Sequence, residues 1–389
     1  MKRFLVSLMA LGLMVGHAGC GDSSTQETKS EVETHWIIER TGEIRTLNDS
    51  GRALFTNVLI KDNEVIVTYQ LAEESLTGGK NLYRQIFDRD LHGGNDEKII
   101  IDVNKEGPVD WNGDLGDHKL VLVDDSIYLL AILKGEGQAA IVKYDDSFNY
   151  QTGPIMIGSS DETEERHEDM GFTSDGENLY SQFFSQPDNE DPSTWGAAVY
   201  RLNEALEETG SAIIKPESGS FVTGTSVVFV PAGQMGFVEE RLQSFSTNRD
   251  YGSAERVGIQ TFAYDLDLNV INESTRVIIE RELDTYFPVG PSWNETHQLW
   301  IVGYTMEIEE GEHGDPKRSQ EIGPSFVTIF DKDWREVDTL TLNNGDPAFR
   351  VMTQTVDDDI YVVYDEMDRN GSVSNSRARI EHLRIFSSQ

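Results

Sequence analysis

The sequence predicts an all-β fold, a six-bladed β-propeller of four-stranded blades, on three observations. A β-rich run ending in an apolar residue, then Asp or Asn, two mostly polar residues and another apolar residue recurs five times. The copies, at Asp88, Asp145, Asn203, Asp265 and Asp331, are spaced by 57, 58, 62 and 66 residues, the period of one supersecondary unit used repeatedly. No apolar pattern of helical period and useful length interrupts the β-branched and aromatic runs between them.

The chain opens with Lys2 and Arg3, an apolar run over 4–15, and then His17-Ala18-Gly19-Cys20. Such a run is too short to span a bilayer, and its charged start and small-residue end are the layout of an export signal, outside the fold. Cys20 is the single cysteine and sits where this leader ends. The segment resembles the lipid-attachment site of bacterial lipoproteins. That resemblance implies a signal peptide over 1–19, a diacylglycerol on the Cys20 thiol and an acyl chain such as palmitate on its new amine. Gly21 in place of an aspartate after the cysteine implies delivery to the outer membrane. Cleavage after Ala18 or Gly19 is the alternative, leaving a soluble periplasmic or secreted protein with one unpaired thiol. Residues 20–34 are then the acylated cysteine and a polar tether, because 21–34 hold one apolar side chain and cannot bury enough surface to offset the entropy of ordering. A flexible coil of that length spans roughly 20 Å.

Residues 35–389 are predicted to be one domain. Upstream of each Asp or Asn turn lies a hairpin around a short polar turn, clearest at Asp124-Asp125-Ser126 and Asp357-Asp358-Asp359. Counterparts fall at Lys61-Asp62-Asn63, Ser174-Asp175-Gly176, Pro231-Ala232-Gly233 and Asn294-Glu295-Thr296. Downstream comes a short strand, mostly isoleucine-rich, at 99–101, 155–157, 213–214, 277–279 and 340–342. The unit therefore has four strands and two tight turns, and repeating it around a centre hides most sheet edges. Second strands near Ile66, Ile127, Leu179, Phe237, Trp300 and Ile360 count six blades, with seven the alternative. The last unit ends without an outermost strand. Ile37-Ile38-Glu39-Arg40 repeats Ile278-Ile279-Glu280-Arg281 letter for letter, so Trp36 to Arg40 is predicted to complete the sixth blade and close the ring. The anchor then joins the periphery of that blade and leaves the channel mouth clear.

Topology puts the tight turns on one rim and the long segments on the other. The long segments within blades are 71–80, 186–195, 243–255, 306–324 and 366–376; those between blades are 102–117, 158–169, 215–223, 280–289 and 343–349. Long loops on a rigid scaffold are where binding residues tend to sit. Asp117-His118 and His167-Glu168-Asp169 fall where inter-blade segments feed innermost strands, near the channel mouth, with Arg350 placed opposite. Carboxylates there offer acid-base chemistry on a glycosidic bond or a cation site, against the plainer reading of solvated loop charges. Trp111, Trp195, Tyr251, Tyr286 and Phe349 lie on the same rim, as stacking platforms for a sugar or peptide or as inter-blade packing.

Asp265-Leu266-Asp267-Leu268-Asn269 has the opening of a calcium loop without its glycine and distal glutamate, and is read as an Asx turn; no metal and no cofactor is assigned. The sialidase Asp-box has no match, since the nearest string, from Ser174 to Tyr180, has the wrong spacing and lacks the tryptophan. Serine-hydrolase, zinc-protease, P-loop and dinucleotide fingerprints are absent as well. With 69 acidic against 32 basic residues the formal charge is −37, which repels nucleic acid and anionic head groups. The sequence thus points to a monomeric, membrane-anchored exported lipoprotein, a non-catalytic propeller binding a protein, peptide or glycan on its long-loop face. The alternative is an exported glycan-active hydrolase or lyase using the channel-mouth carboxylates.

Overall fold

A computed structural model describes residues 35–48, 52–72, 80–103, 115–133, 138–158, 165–185, 196–215, 221–234, 239–249, 256–280, 285–286, 290–310, 319–367 and 376–388. Met1–Thr34, with Cys20, lies outside the described residues.

The chain enters the fold through β1 (His35–Arg40) and β2 (Arg45–Thr46). Blade one is β3 (Ala53–Lys61), β4 (Glu64–Ala72), β5 (Lys80–Asp88) and β6 (Lys98–Ile101). Blade two is β7 (Leu115–Val123), β8 (Ser126–Leu133), β9 (Gln138–Asp145) and β10 (Tyr150–Ile157). Blade three is β11 (Glu165–Ser174), β12 (Asn178–Ser185), β13 (Gly196–Asn203) and β14 (Glu208–Ile214). Blade four is β15 (Phe221–Val230), β16 (Arg241–Arg249), β17 (Arg256–Tyr264) and β18 (Arg276–Glu280). In blade five the innermost strand is split into β19 (Thr285–Tyr286) and β20 (Ser292–Asn294), followed by β21 (Leu299–Glu310), β22 (Ser319–Phe330) and β23 (Glu336–Thr341). Blade six is β24 (Ala348–Val356), β25 (Asp359–Glu366) and β26 (Arg377–Ser388), completed by β1. All neighbouring strands within these sheets are antiparallel, and the count is six.

The predicted closure is present. β1 pairs with β26 from His35↔Ser388 to Arg40↔Leu383, and β2 continues the same edge through Arg45↔Ile380. The repeated tetrapeptide keeps its burial phase: Ile38 and Ile279 are both buried, each one residue before an exposed glutamate.

The core lies between blades. In β8 the side chains of Ile127, Leu129 and Ala131 pack with Leu59, Ile66 and Leu82 of blade one, whereas Tyr128, Leu130 and Ile132 pack with Met170, Phe172 and Leu179 of blade three. Burial on both faces is why such strands read as continuous apolar runs. Six apolar clusters occupy the six seams among the described residues, including the seam that joins blade six to blade one through Tyr361, Val363, Val65 and Val67. Each fully buried aliphatic or aromatic side chain stabilises by about 1.5–3 kcal/mol.

The five Asp or Asn turns share one construction. The side-chain oxygen at the first position accepts the backbone N–H four residues on: Asp88 from His92, Asp145 from Asn149, Asn203 from Glu207, Asp265 from Asn269 and Asp331 from Arg335. The apolar residue at the fourth position takes a left-handed backbone, at Leu91, Phe148, Leu206, Leu268 and Trp334, with φ between 58° and 66°. A non-glycine residue there costs about 1–2 kcal/mol. Burial of the same side chain in a seam offsets that cost. The calcium-like string at Asp265 is therefore an Asx turn like its four counterparts.

Three placements differ from the sequence reading. The second strand of blade four starts at Arg241, and Phe245 rather than Phe237, which is outside the described residues, fills the seam. Residues 243–249, 306–310 and 319–324 belong to strands because the hairpins of blades four and five extend further toward the rim. Asp117 and His167 to Asp169 lie inside β7 and β11, since a bulge lets each innermost strand continue where a loop was predicted.

Candidate functional site at the channel mouth

The innermost strands carry register breaks at matching places: between Leu54 and Asn57 in β3, Leu115 and His118 in β7, Arg166 and Met170 in β11, Thr223 and Ser226 in β15, and Phe349 and Met352 in β24. A bulge re-aims side chains locally. Here the bulges ring the long-loop end of the channel.

Two non-glycine bulge residues, Phe55 and Arg350, hold φ at 56° and 55°. Strained backbone of this kind gathers at functional sites and persists where surrounding contacts over-determine it. The contacts are visible. Arg350 Nη1 donates to Asp117 Oδ2 at 2.9 Å, a reach from blade six to blade two across blade one. The guanidinium lies 4.1 Å from the Phe55 ring centroid and 5.5 Å from that of Phe349, a cation held on aromatic faces. Asp117 Oδ1 accepts the His118 backbone N–H at 2.7 Å, so both carboxylate oxygens have protein donors.

Behind Phe55, Asp365 is fully buried on β25 and accepts the backbone N–H of Phe55 at 2.9 Å, that of Thr56 at 3.1 Å and the Thr56 hydroxyl at 2.5 Å. Burial pushes its carboxyl up to about 6, against the pull of the Thr56 hydrogen bond and the Arg350 charge. Its role is to fix the bulge that presents Phe55.

Alternation along β7 separates the predicted pair. Asp117 and Lys119 point to the channel, while His118 points into the seam with blade one, its Nε2 2.8 Å from Thr68 Oγ1 and its Nδ1 3.3 Å from Gln70 Nε2. Burial lowers the imidazole to about 3 although Asp117 pulls the other way, so it is neutral at ordinary pH. Two residues inward from Arg350 and Asp117 a second reach spans the same blades: Lys119 Nζ lies 3.2 Å from Met352 Sδ. Both links join positions 233 apart in sequence.

Arg350 and Asp117 are thus brought together, and His118 is not part of the mouth. His167, Glu168 and Asp169 are placed on β11 by their backbone only; Trp111, Trp195 and Tyr251 lie outside the described residues. Phe55, Lys119 and Asp365 escaped the sequence reading, since none stands out by motif or recurrence. No group of three or more His, Cys, Asp or Glu among the described residues is arranged to hold a metal ion. A recess of about 890 Å³ lies away from the mouth at the seam of blades six and one, where Asp359 already takes His382 Nε2 and Arg384 Nε.

No protein-family model matches the sequence, and no curated protein is similar enough to count as a sequence relative. Solved structures share the fold. A protein of unknown function from Dyadobacter fermentans is 11% identical, with TM-score 0.59, covering 90% of this chain and 99% of that one. The α-L-arabinofuranosidase of Fusarium graminearum, solved with an iminosugar inhibitor, is 10% identical, with TM-score 0.57, over 90% and 97%. The α-L-arabinanase of Penicillium chrysogenum, solved with arabinobiose, is 12% identical, with TM-score 0.55, over 86% and 93%. At these identities the likeness concerns the propeller and not the activity.

Proposed function

We propose that the chain is an exported, lipid-anchored propeller that binds a glycan at its channel mouth without cleaving it. One observation carries the reading: the described carboxylates nearest Arg350, those of Asp117 and Asp365, have their oxygens taken by protein donors. A general acid or a base needs an oxygen aimed at the substrate. What the mouth offers instead is the partly exposed Arg350 guanidinium on the Phe55 and Phe349 rings, a flat, donor-rich surface of the kind that receives a sugar. The solved propellers that act on arabinose-containing glycans supply the first probes.

Titrating the purified chain with arabinobiose and longer arabinan oligosaccharides by calorimetry, with product chromatography in parallel, tests this. Binding without release of arabinose, weakened at least tenfold by Arg350→Ala, is the expected result. Lack of binding across a broad panel of glycans overturns the glycan reading. The second reading, a hydrolase, rests on that same fold likeness and on the backbone position of Glu168 and Asp169 in β11. Release of arabinose that is lost in Glu168→Gln or Asp169→Asn would establish it instead.

A further inference from the structure

Blade six is closed by a segment from the start of the chain, and among the described residues its outermost strand is the one that is broken, into β1 and β2. Both ends of the break are held on β26: Thr41 N donates to His382 O and Leu47 N to Ala378 O, each at 2.9 Å. The turn between them borders the seam with blade one, and the β5–β6 turn at Asp90 to Asn95 faces it across that seam. The recess of about 890 Å³ lies between these two turns. Its floor is apolar, made by the buried side chains of Leu47, Phe87 and Leu91.

Both signs of charge line the recess, and they do not neutralise each other. Arg45, half-buried on β2, makes no side-chain hydrogen bond or ion pair, and neither do the exposed carboxylates of Glu43 and Asp90. The other basic groups are engaged. Arg384 donates to Asp359 Oδ1 through Nε at 2.9 Å and approaches it with Nη2 at 2.8 Å, His382 Nε2 lies 2.9 Å from the same oxygen, and His92 Nδ1 lies 3.3 Å from Asp88 Oδ2. A ligand bringing a carboxylate alone would suit Arg45, whose planar fork matches that group, but would be repelled by Glu43 and Asp90. One bringing an ammonium alone would meet the reverse. A ligand with both charges and an apolar part between them satisfies the walls and the floor together. The volume lies within the range of roughly 300–1,000 Å³ that encloses ligands larger than a single amino acid.

We propose that the recess at the closing seam binds a short zwitterionic peptide, its C-terminal carboxylate on the Arg45 guanidinium, its N-terminal ammonium against the Glu43 and Asp90 carboxylates, and an apolar side chain on the Leu47, Phe87 and Leu91 floor. The site shares no residue with the channel mouth and stands whether or not the mouth takes a glycan.

The probes are the tripeptides Ala-Leu-Ala, Ala-Val-Ala and Ala-Phe-Ala with free ends, each beside its N-acetylated and its C-amidated form, titrated into the full chain by calorimetry. At least one free tripeptide should bind saturably at one site. Its amide should bind at least tenfold more weakly, although a chain of net charge −37 attracts a cationic peptide without any site, and its acetylated form should be weakened likewise. Arg45→Met should weaken the free peptide at least tenfold. Glu43→Gln combined with Asp90→Asn, both on exposed side chains, should weaken it too, and this variant carries the test if Arg45→Met does not fold. No binding of any free tripeptide, an amide or acetylated form that binds as well as the free one, or affinity unchanged in either variant overturns the proposal. Saturating arabinobiose should leave peptide affinity unchanged; competition would place the peptide in the mouth and overturn the proposal equally.

Discussion

Arg40 and Glu381 hold the ring shut from within blade six: Arg40 Nε, on the closing strand, donates at 2.6 Å to Glu381 Oε2 on the strand it completes. Glu381 has no exposed side-chain surface, and its other oxygen accepts the Asn343 backbone N–H at 2.8 Å and the Tyr364 hydroxyl at 2.6 Å. Arg40 also reaches Asn344 Oδ1 beside blade five, and the Ile38 backbone N–H donates to Asp338 Oδ2 on β23. Closure is therefore a charge-assisted network as well as a strand ladder.

Breaking a buried ion pair from one side leaves an uncompensated charge. Arg40→Ala is expected to lower unfolding free energy by about 2–4 kcal/mol, and Glu381→Gln by less, because the amide keeps an acceptor for Asn343. Urea denaturation measures both. Equal losses would assign the effect to packing instead of charge.

The left-handed plugs of the turns make a second expectation. Leu206 is 2% exposed and fills the seam of blades two and three at φ 63°. Leu206→Ala keeps the strained backbone and loses the burial, so it should cost about 2–4 kcal/mol. A loss below 1 kcal/mol in thermal or urea unfolding would mean that the plug is dispensable.

His118 makes stability depend on acidity. The folded imidazole stays neutral down to about pH 3, while an unfolded histidine takes up a proton near pH 6.5. Below about 6.5 the unfolded chain thus binds the extra proton, so the contribution is intact above that pH and is lost as pH falls. Between pH 6.5 and 4 the parent should lose on the order of 3 kcal/mol more than His118→Asn. Parallel stability curves would contradict this.

The link from Arg350 to Asp117 should appear as coupling. A double-mutant cycle of Arg350→Ala and Asp117→Ala is expected to give an interaction of about 1–2 kcal/mol in unfolding free energy, since Asp117 is buried and Arg350 only partly exposed. Additive effects would show that the two side chains do not act as a pair.

For the anchor, Cys20→Ser is expected to move the chain from the membrane fraction to the soluble one, because acylation needs the thiol and no other cysteine can substitute. Unchanged partition would remove lipidation from the reading.

Periodic local chemistry made most of the fold legible. The Asx turns announce themselves because one side-chain oxygen at a fixed offset closes each of them, and the seams because strands buried on both faces must be apolar throughout. The repeated Ile-Ile-Glu-Arg string located the closing strand, since an outermost strand needs one buried position and an exposed flank in either copy. Ring curvature decided the rest. The two reaches of 233 residues, Arg350 to Asp117 and Lys119 to Met352, exist because blades six and two approach each other around blade one at the axis. The bulge that turns Phe55 toward the mouth depends on Asp365, a neighbour by packing alone. The sequence by itself therefore determined blade number, turn construction and closure, which are interactions between residues near in sequence or alike by repetition. Only the tertiary structure decided which side chains meet in the channel, because that depends on the angle between blades, and no local pattern records it.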